Sequence, residues 1–177
     1  MLTEDEIRQF KQDGYLVKRS IVERAFCDRA CQRLWDDPPP SMQKEEPFSW
    51  IGPIKEEEES EDPDNYKKGH RWQYRKIGNE SWMPEGLPGH PFVQAAVAQL
   101  LGADRFHQRD RVRGIYCTLP SGDMERKPRH MHIDDGQSTL GVVCYVDRVD
   151  PDGGGFAVWP SSHKKLFYTS HSRYRRK

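Results

Sequence analysis

The stretch Leu140–Asp147, "LGVVCYVD", is apolar at consecutive positions rather than at every second one. Side chains on a strand point alternately to opposite faces, so a strand of this composition is covered on both sides and belongs in the middle of a sheet. That predicts a barrel or sandwich with helices packed outside. Its neighbours carry the same signal: "VRGIYCTLP" (112–120), "RHMHID" (129–134) and "GFAVWP" (155–160) are short β-branched and aromatic runs, and "DPDGGG" (150–155) is the tightest turn signal. Five or six strands are expected in all.

Upstream the period is helical. In "TEDE", Thr3 is an N-cap with Glu6 three residues on, Ile7 and Phe10 follow on one face, and Gly14 stops the helix. "YLVKR" (15–19) reads as a brief strand, and "SIVE" repeats the capping pattern at Ser20 and Glu23 before a helix with Phe26, Cys27, Ala30, Cys31 and Leu34 on one side. Cys27 and Cys31 read as core filler, because a buried free cysteine packs as a small hydrophobe. "HPFVQAAVAQLLG" (90–102) places Pro91 at the first helical position, an apolar stripe through Val93, Ala96, Val97, Leu100 and Leu101, and Gly102 at the end. Helices first and a sheet afterwards make an α+β chain. Residues 37–68, from the prolines of "DDPPPS" through "KEEEESEDPDN", carry an acidic run without apolar period and are expected to form a flexible, exposed insert.

At 177 residues the chain is the size of one domain, 1–177. Its 28 basic and 28 acidic residues cancel, so no global field draws it to nucleic acid. Four cysteines without a CxxC pair suggest reduced thiols in the cytoplasm. The acidic opening "MLTEDEIRQF" is unlike a signal peptide, and no run approaches a membrane span.

The chemistry is concentrated in "RHMHIDDGQ" (129–137). On an extended strand His130, His132 and Asp134 share one face, while Arg129, Met131 and Ile133 take the other. Open non-haem iron sites hold Fe(II) with two histidines and one carboxylate, leaving positions for substrate chemistry. His132-x-Asp134 supplies two such ligands aimed at one point.

Taken in order, "LTEDEIRQFKQDGYLV", "HPFVQAAVAQLLG", "RGIYCTLP", "HMHIDD", "LGVVCYVD" and "DGGGFAVWPSSHKK" resemble the phytanoyl-CoA dioxygenase family of Fe(II)- and 2-oxoglutarate-dependent oxygenases. His132 and Asp134 match the family's HxD, and "PSSH" (160–163) matches its "PGSH", with Ser161 in place of the glycine. The resemblance implies a double-stranded β-helix (jelly-roll) core flanked by N-terminal helices, with Fe(II) and 2-oxoglutarate as cofactors. It also implies O2 and a small-molecule substrate as partners, and hydroxylation of a C–H bond. The substrate class is left open among acyl and small-metabolite types. Asp134 occupies the position that halogenating relatives leave small, which favours hydroxylation.

In that fold, Arg113, Tyr116 and Thr118 lie on the strand entering the site and are candidates to hydrogen-bond the 2-oxoglutarate carboxylates. No further catalytic side chain is assigned. Trp72, Tyr74 and Arg75 of "HRWQYRK" are candidates for a substrate-facing wall. His163 matches the PGSH histidine, which is not a ligand in the family. The family's third iron ligand and its 2-oxoglutarate-anchoring arginine lie tens of residues beyond PGSH, whereas only "KKLFYTSHSRYRRK" follows His163 here. Three readings compete: a barrel left incomplete by C-terminal truncation, which is favoured; His171 as the third ligand with Arg173 or Arg175 as the anchor; or a catalytically inactive binding module of the same fold. His130 is a second candidate ligand, read first as a neighbour that hydrogen-bonds the ligands.

Overall fold

The computed structural model describes residues 1–122, 132, 140–150 and 153–166. Its first helix, α1 (Glu4–Asp13), starts where the capping box requires. The Thr3 hydroxyl accepts from the Glu6 N–H at 3.3 Å, and the Thr3 N–H donates to the Glu6 carboxylate at 2.9 Å. Gly14 ends it in the left-handed region at φ 82°, its N–H donating to the Phe10 carbonyl. Helix α2 (Arg24–Leu34) begins later than the second box predicts. Ser20 sits at φ 56°, so Glu23 is the N-cap and makes no side-chain capping bond. The brief strand expected over 15–19 is also absent. Val17 points to solvent there, and Lys18 bonds Glu6 at 2.5 Å and lies over the Phe92 ring at 5.7 Å, tying α1 to the fourth helix.

Among the described residues the sheet has three antiparallel strands, β1 (Asn65–Lys68), β2 (Arg71–Tyr74) and β3 (Ile115–Thr118), in the order β1-β2-β3. Gly69 and His70 form the two-residue turn between β1 and β2, with Gly69 at φ 56° as such a turn requires. Between β2 and β3 run α3 (Trp82–Gly86) and α4 (Pro91–Leu101), the latter starting at Pro91 and ending at Gly102 as predicted. Gly114 admits β3 to the sheet. At φ 104° it lies against the Tyr74 carbonyl, where a side chain would collide.

Alternation divides the sheet into two faces. Asn65, Lys67, Trp72, Tyr74, Ile115 and Cys117 point inward, and Ala30, Phe26 and Leu34 of α2 pack there with Ile77 and Met83. A second cluster joins Trp72 and Leu119 to Met42 and Ile54. Those last two residues correct the expectation of an exposed insert over 37–68. Pro39, Met42, Ile54, Asn65 and Lys67 are all buried, and the segment contains β1. The polar pair is satisfied: Trp72 donates to the Asn65 side-chain oxygen at 2.9 Å, Asn65 donates to the Asp37 carbonyl at 2.9 Å, and Lys67 reaches the Asp37 carboxylate and Pro38 carbonyl at 3.1 Å each. The acidic run itself, 56–64, has no buried residue.

The fold is therefore α+β, with an open sheet among the described residues. The central strand expected over Leu140–Asp147 is not formed, nor is a strand over 155–160. Val142, Val143, Phe156 and Trp159 are exposed instead. Strand composition states a demand for burial, and a strand forms only where a partner supplies the ladder. The turn signal does close: Gly153 N–H donates to the Asp150 carbonyl at 2.8 Å, and the two arms meet where Phe156 N–H donates to the Tyr145 hydroxyl at 2.7 Å.

Candidate functional site

The sheet's outward face carries Tyr66, Lys68, Arg71, Gln73, Tyr116 and Thr118. Trp72 and Tyr74 do not belong to it. They are core residues, 2% and 5% exposed, so the substrate-facing wall expected of them is not built. Arg75, at the end of β2, does reach the outer face. Its guanidinium lies 5.8 Å from the Tyr116 ring centre and donates to the Gln73 side-chain oxygen at 2.5 Å, while its Nε is buried without a hydrogen-bond partner. Tyr116 stays 46% exposed. Tyr116, Gln73 and Arg75 thus lie together on one exposed face, and phenol, amide and guanidinium are donor types suited to carboxylate oxygens. Gln73 and Arg75 were not singled out as ligand contacts from the sequence; alternation from the buried Trp72 and Tyr74 is the signal that finds them.

Arg113 is exposed just before the Gly114 bend, and Thr118 closes β3 on the same outer face as Tyr116. His132 is exposed. Asp134, His130, His171, Arg173 and Arg175 lie outside the described residues. Among the described residues no three histidine, cysteine or acidic side chains are grouped to hold a metal. A shallow groove of about 600 Å³ runs between Asn79–Gly89 and Gln108–Asp110, and none of the residues expected at the site lines it.

The element matching PGSH has a clear structural part. α1 ends with carbonyls that no helical N–H can reach. "PSSH" covers them: Ser161 N–H donates to the Asp13 carbonyl at 2.8 Å, the Ser161 hydroxyl to the Gln12 carbonyl at 2.9 Å, and the His163 ring meets the Lys11 carbonyl at 3.2 Å. Reaching all three requires a sharp turn, and Ser161 makes it at φ 63°. That is backbone territory where glycine is the relaxed residue. His163 packs directly over Gly14.

No family model, curated protein or solved structure matches the chain. Among the described residues no helix is long and apolar enough to cross a membrane.

Proposed function

We propose that this chain forms an Fe(II)- and 2-oxoglutarate-dependent oxygenase domain of the phytanoyl-CoA dioxygenase type, acting on a C–H bond of a small metabolite or acyl substrate. The observation that carries the reading is the lock between "PSSH" and α1. It joins the first and last motifs of the resemblance across 149 residues, and it puts a left-handed backbone at the position where the resembling motif has glycine.

The sheet supports a jelly-roll core in the same way. One face is packed by α2 and the other presents polar and aromatic groups, as a sheet lining a binding cavity does. The donor chemistry of His132 and Asp134, imidazole and carboxylate, fits Fe(II), and these two residues would hold it. When bound, the metal with 2-oxoglutarate and O2 supplies the oxidant for hydroxylation. The protein's part is to bind and orient: Tyr116, Thr118 and Arg113 offer hydrogen bonds to the co-substrate carboxylates, with Gln73 and Arg75 beside them. The four unpaired thiols support a reducing compartment such as the cytoplasm.

Metal binding tests this first. Titration of the chain with Co(II), a spectroscopic substitute for Fe(II), should give a d–d absorption that His132→Ala and Asp134→Ala each abolish. Unchanged binding in both variants would remove the metal assignment. A non-catalytic module of the same fold is the second reading, favoured by the exposure of Val142, Val143 and Phe156. It predicts that 2-oxoglutarate binds without being consumed.

A further inference from the structure

The chain's cysteines are far apart in sequence and close in space. Cys27 and Cys31 stand one turn apart on α2, so they share a face of the helix. The arm beginning at Leu140 runs along that face: the Cys31 thiol donates to the Val146 carbonyl at 3.6 Å, Val146 packs on the core, and Cys144, two residues earlier, neighbours Cys27 while its thiol donates to the Tyr145 carbonyl at 3.7 Å. Cys117 of β3 packs into the core next to Cys31. All four are free thiols, and among the described residues they form no metal-holding group.

We propose that Cys27 and Cys144 are a reversible disulfide site that fastens the Leu140–Asp150 arm to α2 under oxidising conditions. The pair joins a rigid helix to a segment that has no ladder partner among the described residues. The arm can therefore adjust its backbone to the Cα separation of roughly 4.4–6.8 Å that a disulfide needs. The other two thiols are poorer candidates. Burial raises the Cys144 thiol too, but burial first, and the neighbouring Cys31 second, push the Cys117 thiol up to about 12, and the thiolate is the reactive form. The Cys31 thiol meets the arm at Val146, two residues past Cys144. The oxidant is a small-molecule disulfide such as oxidised glutathione. One thiolate of the pair attacks it and releases one reduced glutathione; the second, after losing its proton, attacks the mixed disulfide and releases another. The protein loses two protons and two electrons, and the small disulfide gains both.

The site stands independently of the proposed oxygenase activity, because it is read by mass and not by turnover. The full chain is incubated with oxidised glutathione, alkylated under denaturing conditions, digested and mapped with and without reduction. One linked peptide pair, Cys27 with Cys144, is expected, with Cys31 and Cys117 alkylated. It should persist in Cys31→Ser and vanish in Cys144→Ser. Hydrogen exchange over 140–149 should slow by at least about tenfold in the oxidised protein, since a cross-link closing so long a loop restricts opening of the arm. Separate glutathione adducts with no internal bond, or Cys144 linked to Cys31 or Cys117, would overturn the assignment. Unchanged exchange in the oxidised chain would overturn the fastening.

Discussion

Ser161 combines two opposed effects at a single residue. Its φ of 63° costs a side-chain-bearing residue about 1–2 kcal/mol relative to glycine, while its hydroxyl bond to Gln12 returns about 0.5–1.5 kcal/mol. Ser161→Gly removes both and should leave stability within about 1 kcal/mol of the parent. Ser161→Ala keeps the strain and loses the bond, so urea unfolding should place it about 1–2 kcal/mol below the glycine variant. Equal stabilities for the two variants would contradict the strained turn. Glu80 gives a second test at this scale. Its hydrogen bond from Arg33 holds the carboxyl below its ordinary 4.5 although burial opposes this, and Trp82 also donates to it at 2.7 Å. A carboxyl lowered by folding contributes fully above its ordinary value and loses that contribution as pH falls through the lowered native value. Urea midpoints should therefore drop on acidification below 4.5, and the drop should be smaller in Glu80→Gln.

Elements whose signals are local were legible in the sequence. Thr3, Glu6 and Gly14 delimit α1, and Pro91 and Gly102 delimit α4, because caps and breakers act within a few residues. Thr3→Ala should cost about 0.5–2 kcal/mol in the same unfolding assay, through loss of the cap. Strands β1 and β2 were not legible. "NYKK" and "RWQY" look polar because the inner face uses Asn65 and Lys67, whose buried groups are satisfied by Asp37 and Pro38 from distant sequence. "LGVVCYVD" misled in the opposite direction, since its apolar run is real but no described residue pairs with it in a ladder. The second box at Ser20 failed for a similar reason, a favourable tetrapeptide whose first residue turns left-handed.

At the scale of the whole molecule, the insert is what the sequence concealed. Met42 and Ile54 are isolated among charges, and only their meeting with Trp72 and Leu119 makes a core. Trp72 is 2% exposed and stacks edge-on against Trp35 at 5.7 Å. Trp72→Ala should cost about 3–5 kcal/mol, and near-parental stability would show that the insert does not share one core with the sheet. The candidate site is proposed from chemistry rather than from geometry: the His132-x-Asp134 spacing offers two candidate ligands, whereas Gln73 and Arg75 emerge only from the pairing of β2 with β3. The most direct measurement of the proposed activity is succinate formed from 2-oxoglutarate by the purified chain with Fe(II), ascorbate and O2. An oxygenase predicts succinate above the protein-free background that disappears in His132→Ala and Asp134→Ala; succinate at background level, or an equal yield from both variants, would contradict it.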